Sequence, residues 1–270
     1  MKRKNAGLFP ALLKHWRGSR GMSQLDLALA ADVSARHISF METGRAKPSE
    51  EMVLRLGAAL AMPLRDRNAM LTAAGHPEVF DEPPVDDGLS PAIGHALDRM
   101  LATHEPFPMV VMDRHYDVLR TNDAGTRMMS RILAEPQALG TPINAFRVLF
   151  DPRLARPFIQ DWERVAHGLI ASLYMESLQH PGDEGLAELI RSLHEYPNVP
   201  EAWRQPDPSR PVDAAFSVVF ERDDLHLAFL TTVTRFNAPT NITLEELRIE
   251  SYFPLDDETE AVCRALAEKN

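Results

Sequence analysis

The sequence predicts two domains of different class: a mainly α N-terminal part of five short helices, and an α+β C-terminal part on a five-stranded antiparallel sheet with a helical insertion. Three observations predict it. Apolar residues recur at helical spacing through residues 8–75, the period turns strand-like at residue 108, and the charge changes sign between the parts. Residues 1–80 hold 12 Lys and Arg against 7 Asp and Glu, which leaves 17 against 32 for residues 81–270. A basic head on an acidic body suits a protein that touches nucleic acid with its N-terminal part alone.

In the head, LFPALLKHWRGSR (8–20) places Leu8, Phe9, Leu12, Leu13 and Trp16 on one helical face. Ser23 is suited to cap a second helix carrying Leu25, Leu27, Ala28, Leu29 and Ala31, and Ser34 a third that buries Ile38 and Met41 and stops at Gly44. Only a short break without glycine or proline separates these two. Helices so closely joined cannot lie antiparallel, and must cross steeply as a helix-turn-helix. Pro48 is placed to open a fourth helix, and a fifth runs from Pro63 to Ala74, closed by Gly75. The expected boundaries are 1–75 for the head, 76–90 for a proline-rich acidic linker, and 91–270 for the second domain.

That domain opens with a helix over 90–104. PMVVMDRHYDVLRTN (108–122) is a hairpin pattern turning at Asp113-Arg114-His115. Helical texture follows over 123–134, 144–150, 153–179 and 184–195. AAFSVVFE, LHLAFLTTVTRF and LEELRIESYFP then read as three antiparallel strands, before a last helix over 257–268.

With 44% hydrophobic and 25% charged residues the chain has the composition of a soluble globular protein. No apolar run reaches the ~18 residues of a membrane helix, and MKRKNAGLFP lacks the apolar centre of a signal peptide, so a cytoplasmic protein without membrane contact is expected. Cys263 is the single cysteine, which excludes intrachain disulfides and cysteine-rich zinc sites.

If residues 34–41 form the helix that enters the major groove, its outward side is Ala35, Arg36, His37, Ser39 and Phe40. Arg36 can donate two parallel hydrogen bonds to guanine, while Ala35 and Phe40 can press on thymine methyls. Ser23, Gln24 and Ser34 at helix starts, with Arg45 and Lys47 just after the third helix, are positioned for phosphates. The competing reading is that these side chains are solvated surface; the capping, the spacing and the basic balance oppose it.

Residues 12–60, through R-G-M-S-Q-x-x-L-A and E-x-G-R-x-x-P-S, resemble the Xre-type repressor helix-turn-helix, a lambda-repressor-like fold. The resemblance implies an ion pair between Arg17 and Glu42; Phe40 departs from it, since many relatives carry a polar residue there. RDRNAMLTAAGH, HEPFPMVVMDRHYDVLRTN and ELRIESYFPLDDET resemble the MmyB-like transcription regulators, whose C-terminal ligand-binding domain is PAS-like; Tyr116 stands where that pattern usually has Trp, and Asn122 matches its asparagine. What this implies is a small lipophilic, fatty-acid-like ligand between the sheet and its helices. Candidate lining residues are Met109, Val111, Met128, Met129, Leu133, Phe146, Trp162, Leu169, Tyr174, Phe216, Phe229 and Leu230, most of which ordinary core packing also explains. A ligand carboxylate would look to Arg120, Arg127, His167 or Tyr174.

No zinc-protease helix, phosphate loop or paired cysteine and histidine is present, so neither an enzyme nor a cofactor is expected. The expected protein is a homodimeric transcriptional regulator on a double-stranded operator of two-fold related half-sites. The alternative is a regulator whose second domain is a protein-interaction module, marked by a core without a cavity.

Overall fold

The computed structural model describes residues 7–85, 89–180, 182–204, 217–237 and 239–268. Its helices and strands run α1 (Leu8–Ser19), α2 (Gln24–Ala30), α3 (Ala35–Glu42), α4 (Glu50–Ala59), α5 (Leu64–Ala74), α6 (Pro91–Thr103), β1 (Met109–Met112), β2 (Val118–Thr121), α7 (Asp123–Ile132), α8 (Ala145–Phe150), α9 (Trp162–Gln179), α10 (Glu184–Leu193), β3 (Ser217–Arg222), β4 (Leu225–Thr234), α11 (Ile242–Glu246), β5 (Arg248–Pro254) and α12 (Asp257–Glu268). They fall into two compact units. One holds the described residues of Met1–Pro84 and Asn237–Glu245, the other those of Val85–Phe236 and Glu246–Asn270.

The first unit is the expected five-helix head. Ser23, Ser34 and Ser49 cap α2, α3 and α4, each accepting the backbone N–H three residues on. The fourth helix therefore starts after Ser49 rather than at Pro48. The α2–α3 break manages without glycine because Asp32 takes the left-handed conformation at φ 52°, which aspartate tolerates better than most side chains. Leu13, Leu27, Ile38, Met41, Val53 and Leu56 are fully buried where the helices meet.

Arg17 and Glu42 lock α1 to α3. The guanidinium donates to both carboxylate oxygens, at 2.6 and 3.1 Å, and to the Met22 carbonyl at 2.6 Å. Gln24 donates to the same carboxylate at 2.7 Å. Burial pushes the Glu42 carboxyl up, but the hydrogen bonds from Arg17 and Gln24 and the Arg17 charge outweigh it and hold Glu42 below its ordinary range.

Two segments join the head that the sequence places elsewhere. Residues 76–84, expected as linker, are held by buried Asn68, whose Oδ1 accepts the Val79 and Phe80 N–H groups while its Nδ2 donates to the Phe80 carbonyl. Residues 239–245 come from the β4–β5 connection. The Ile242 N–H donates to the Asp81 carbonyl at 2.9 Å. The Glu245 carboxylate accepts the Leu64 N–H at 2.6 Å, capping a helix start that Pro63 leaves without a side-chain cap. The segment expected as the start of the third strand is thus helical through Glu246, and β5 begins at Arg248.

The second unit is the expected α+β domain, with an antiparallel sheet in the order β2-β1-β5-β4-β3. Asn122 secures the hairpin to α7: its Oδ1 accepts the Met109 and Gly125 N–H groups, and its Nδ2 donates to the Phe107 and Leu101 carbonyls. On one face of the sheet lies α6, joined by an ion pair from Asp98 to Arg120 and by the His104 ring against Phe253. Helices α7, α8, α9 and α12 cover the other. The helix expected from residue 153 begins only at Trp162, because Ile159 bridges to Phe220 and Asp161 turns left-handed at φ 49°. Phe216 and the first residues of the expected AAFSVVFE strand lie outside the described residues.

Replacing Glu42 by Ala leaves Arg17 without its partner and is expected to destabilise the head by about 3–5 kcal/mol in chemical denaturation. Since the folded-state pKa is depressed, the wild-type contribution is complete above the unfolded value of about 4.3 and is lost as pH falls through the folded value. Glu42→Ala should therefore narrow its deficit in acid.

Candidate DNA interface and ligand cavity

On the head, α3 turns Arg36 to solvent, with Arg45 and Lys47 exposed just beyond its end. Phe40 lies between two cations, with the Arg36 and Arg45 guanidinium carbons 5.1 and 5.9 Å from its ring centroid. That packing explains how an aromatic residue sits where a polar one is common: it splints both arginines. His37 and Ser39 are half-buried. Ala35 packs against the head's core, which limits what its methyl can offer a base. Ser23 and Ser34 are exposed, with side chains engaged in capping, and Gln24 is held by Glu42. Arg36, Arg45 and Lys47 thus stand exposed on and just beyond α3, the two arginines against Phe40.

In the second unit, the sheet face opposite α6 borders a cavity of about 590 Å³. Val110 and Met112 of β1, Val218 and Phe220 of β3, Thr231 and Val233 of β4, and Glu250 and Tyr252 of β5 form its floor, as strand alternation and the pairing register require. Its far wall is one stripe of α9, Arg164, Val165, Gly168, Leu169 and Ser172, at helical spacing. Met128, Met129 and Ile132 of α7, Leu133 just after it, and Phe146 and Leu149 of α8 close the sides. At Gly125 a Cβ would stand 2.1 Å from Thr121 Oγ1, so only glycine fits this approach of α7 to β2.

Of the residues proposed from sequence to line a pocket, Met128, Met129, Leu133, Phe146 and Leu169 border this cavity. The other described ones do not line it. Met109 and Val111 alternate onto the α6 face of β1, as does Leu230 on β4. Trp162 donates its indole N–H to the Leu149 carbonyl and packs on Phe150. His167 stacks edge-on to Trp203, and the Tyr174 hydroxyl meets His194, both on the side of α9 away from the cavity. Phe229 is fully buried beside Cys263 in the core under α12. Arg120 and Arg127 are paired to Asp98 and Glu105. Phe216 lies outside the described residues.

Two polar features were missed. At the β2 end, Tyr116 donates to Glu176 at 2.7 Å, and Arg248 binds the Tyr116 hydroxyl at 2.7 Å and the Glu176 carboxylate. On the floor stands Glu250, surrounded by protein yet partly uncovered because its free side faces the cavity. Its contacts are the Thr231 hydroxyl and a long hydrogen bond of 3.4 Å from Tyr252. Among the described residues no cation pairs with it. Burial pushes its carboxyl above the ordinary range, and the two hydroxyls only partly offset this. The signal in the sequence was an acid alternating with Tyr252 in a strand that reads as core.

A comparison with family models matches residues 93–266 to the MmyB-like transcription regulator ligand binding domain and residues 13–66 to the helix-turn-helix family. The chain belongs to the MmyB-like transcription regulators. It is therefore a DNA-binding transcription regulator with a separate ligand-binding domain. No curated protein matches it. Among solved structures, the clp gene regulator ClgR from C. glutamicum is 27% identical over 27% of this chain and 92% of its own, with a TM-score of 0.23. An RNA-binding Light-Oxygen-Voltage receptor is 13% identical over 97% of this chain and 62% of its own, with a TM-score of 0.28. Neither likeness is close enough to carry an argument about this MmyB-like regulator. Among the described residues, no helix is long and apolar enough to cross a membrane, and no group of acidic, histidine or cysteine side chains is placed to hold a metal.

An acid with a raised folded-state pKa costs the fold nothing below its unfolded value and an increasing amount as pH climbs from there toward the folded value. Glu250→Gln removes that cost. The melting temperature of the variant minus that of the wild type should thus become more positive between pH ~4.3 and 7; a difference flat in pH would mean that Glu250 titrates normally.

Proposed function

We propose that this regulator binds its operator as a homodimer in the cytoplasm, reading bases with Arg36, and that a small lipophilic molecule in the second-domain cavity controls it. The cavity carries the reading: its volume and mostly apolar lining match those of small-molecule sites. A protein-interaction module would have no use for such a space, so the cavity favours a ligand over that alternative. The fatty-acid-like character expected of the ligand is retained in its apolar chain.

Chain connectivity supports the coupling. Strands β4 and β5 both floor the cavity, and the segment joining them belongs to the head, where Glu245 caps α5. A ligand that shifts these strands acts on a segment on which the head's own helix depends. Couplings of this kind are typically worth 1–3 kcal/mol, enough to change operator affinity about five- to a hundred-and-fifty-fold. Each recognition helix of a dimer would occupy one major groove, with half-sites about 34 Å or a multiple apart.

Native mass spectrometry of the protein purified from its expression host, before and after denaturation, tests the ligand and the dimer together. The expected result is a dimer with an extra mass that denaturation releases. A monomer would sink the dimer, and an apo protein that no lipophilic probe enters would sink the ligand.

The DNA reading makes separate demands on two residues. Arg36→Ala should cost about 1–3 kcal/mol on the operator and much less on random DNA. Lys47→Ala should weaken all sequences alike and reduce the slope of log affinity against log salt by about 0.9. Equal losses on both kinds of DNA for Arg36→Ala would remove its base-reading role.

A further inference from the structure

The cavity's chemistry goes further than its shape. Its lining is mostly apolar, with scattered polar side chains at Tyr116, at Thr121 of β2, at Thr126 and Ser130 of α7 and on α9, and the polar groups that enter from β4 and β5 of the floor are Glu250, Thr231 and Tyr252. All three sit side by side, because Thr231 is the register partner of Tyr252, and Val233 that of Glu250. The two hydroxyls can donate to the Glu250 carboxylate, but no cation among the described residues reaches it. Arg164 belongs to the α9 wall, where its side chain is 45% exposed and pairs with Asp161 at 3.2 Å. Arg248 is committed to Glu176 and Tyr116. A carboxyl group placed this way, in apolar surroundings, lacks its complement.

We propose that Glu250 is the ligand's polar anchor, and that the cavity takes a lipophilic amine: an apolar body whose protonated amino group donates to Glu250. The proposal rests on the cavity being a ligand site and narrows the class of ligand. The ammonium supplies the charge that the carboxylate lacks, and Thr231 and Tyr252 complete the ring of oxygens around it. A carboxylate at the same place would meet a like charge wherever Glu250 is ionised, and beside it no donor beyond two hydroxyls already turned to Glu250. The chain of a fatty acid therefore fits the cavity while its head group does not fit this end of it.

Three probes of matched chain separate the possibilities. Decylamine, decanol and decanoate, each below its micelle concentration, are titrated against a neutral hydrophobic dye held by the full-length protein, in wild type and in Glu250→Gln. The expected order for wild type is decylamine, then decanol, then decanoate, with the amine roughly ten-fold or more tighter than the carboxylate. Glu250→Gln should abolish the preference for the amine and leave decanol binding within about two-fold, which shows at once that the cavity remains folded. Decanol or decanoate binding wild type as tightly as decylamine overturns the amine assignment while leaving a lipophilic ligand in place. A preference for the amine that persists in Glu250→Gln also overturns it, by showing that the acidic surface attracts the probe. Failure of all three to displace the dye, or of the dye to bind, overturns the ligand reading itself.

Discussion

The second domain depends on β5. Hairpin β1–β2 and hairpin β3–β4 share no pairing with one another; each is hydrogen-bonded to β5, which stands between them and is the last strand in sequence. The sheet cannot close until the C-terminal part of the chain arrives, so its contacts are long-range and its formation carries the corresponding loop entropy. The same strand carries Arg248, tied to Glu176 and Tyr116, and Glu250 on the cavity floor. One central strand thus unites the halves of the domain, its buried ion pair and its polar anchor.

That arrangement explains why space remains above the sheet. The inserted helices between β2 and β3 pack on one another through a core of their own, with Phe150, Ala166, Leu173 and Leu193 fully buried. At the other end of the sheet, Phe229 and Cys263 fill the gap beneath α12. Between these two packed regions, α9 presents Val165, Gly168, Leu169 and Ser172 to the sheet, none of them large enough to span the distance, while Arg164 at its start pairs with Asp161. The cavity is what two satisfied cores leave between them.

In the head, stability and the proposed DNA contact use different charges. Glu42 is an acid on the helix expected to meet DNA, yet its carboxylate is engaged by Arg17 and Gln24 and buried at their junction. Arg36 and Arg45 flank Phe40 outside that junction. The ring limits the conformations of two long side chains, which would lower the entropy they lose in the proposed contact with DNA.

Much of the head was legible from residues 8–75 alone, because five amphipathic helices, three of them capped by serine, and a glycine stop are local features whose signals lie within a turn of the structure they specify. The hairpin at 108–122 and the later strands were legible for the same reason, apart from residues 244–246, expected as strand and found in α11. Three features were not. Whether Asp32 could replace a glycine, whether residues 239–245 belong to the head, and which residues line the cavity all depend on what a segment meets in space. Met109 and Val110 are neighbours and both apolar, and only the pairing of β1 with β5 decides that the second faces the cavity. The sequence by itself determined the helix-turn-helix, the strand count and the two-domain plan, since periodicity and capping act over a few residues. The tertiary structure alone decided the cavity and the isolation of Glu250, since sheet register and the distance between packed cores are set by residues far apart in the chain.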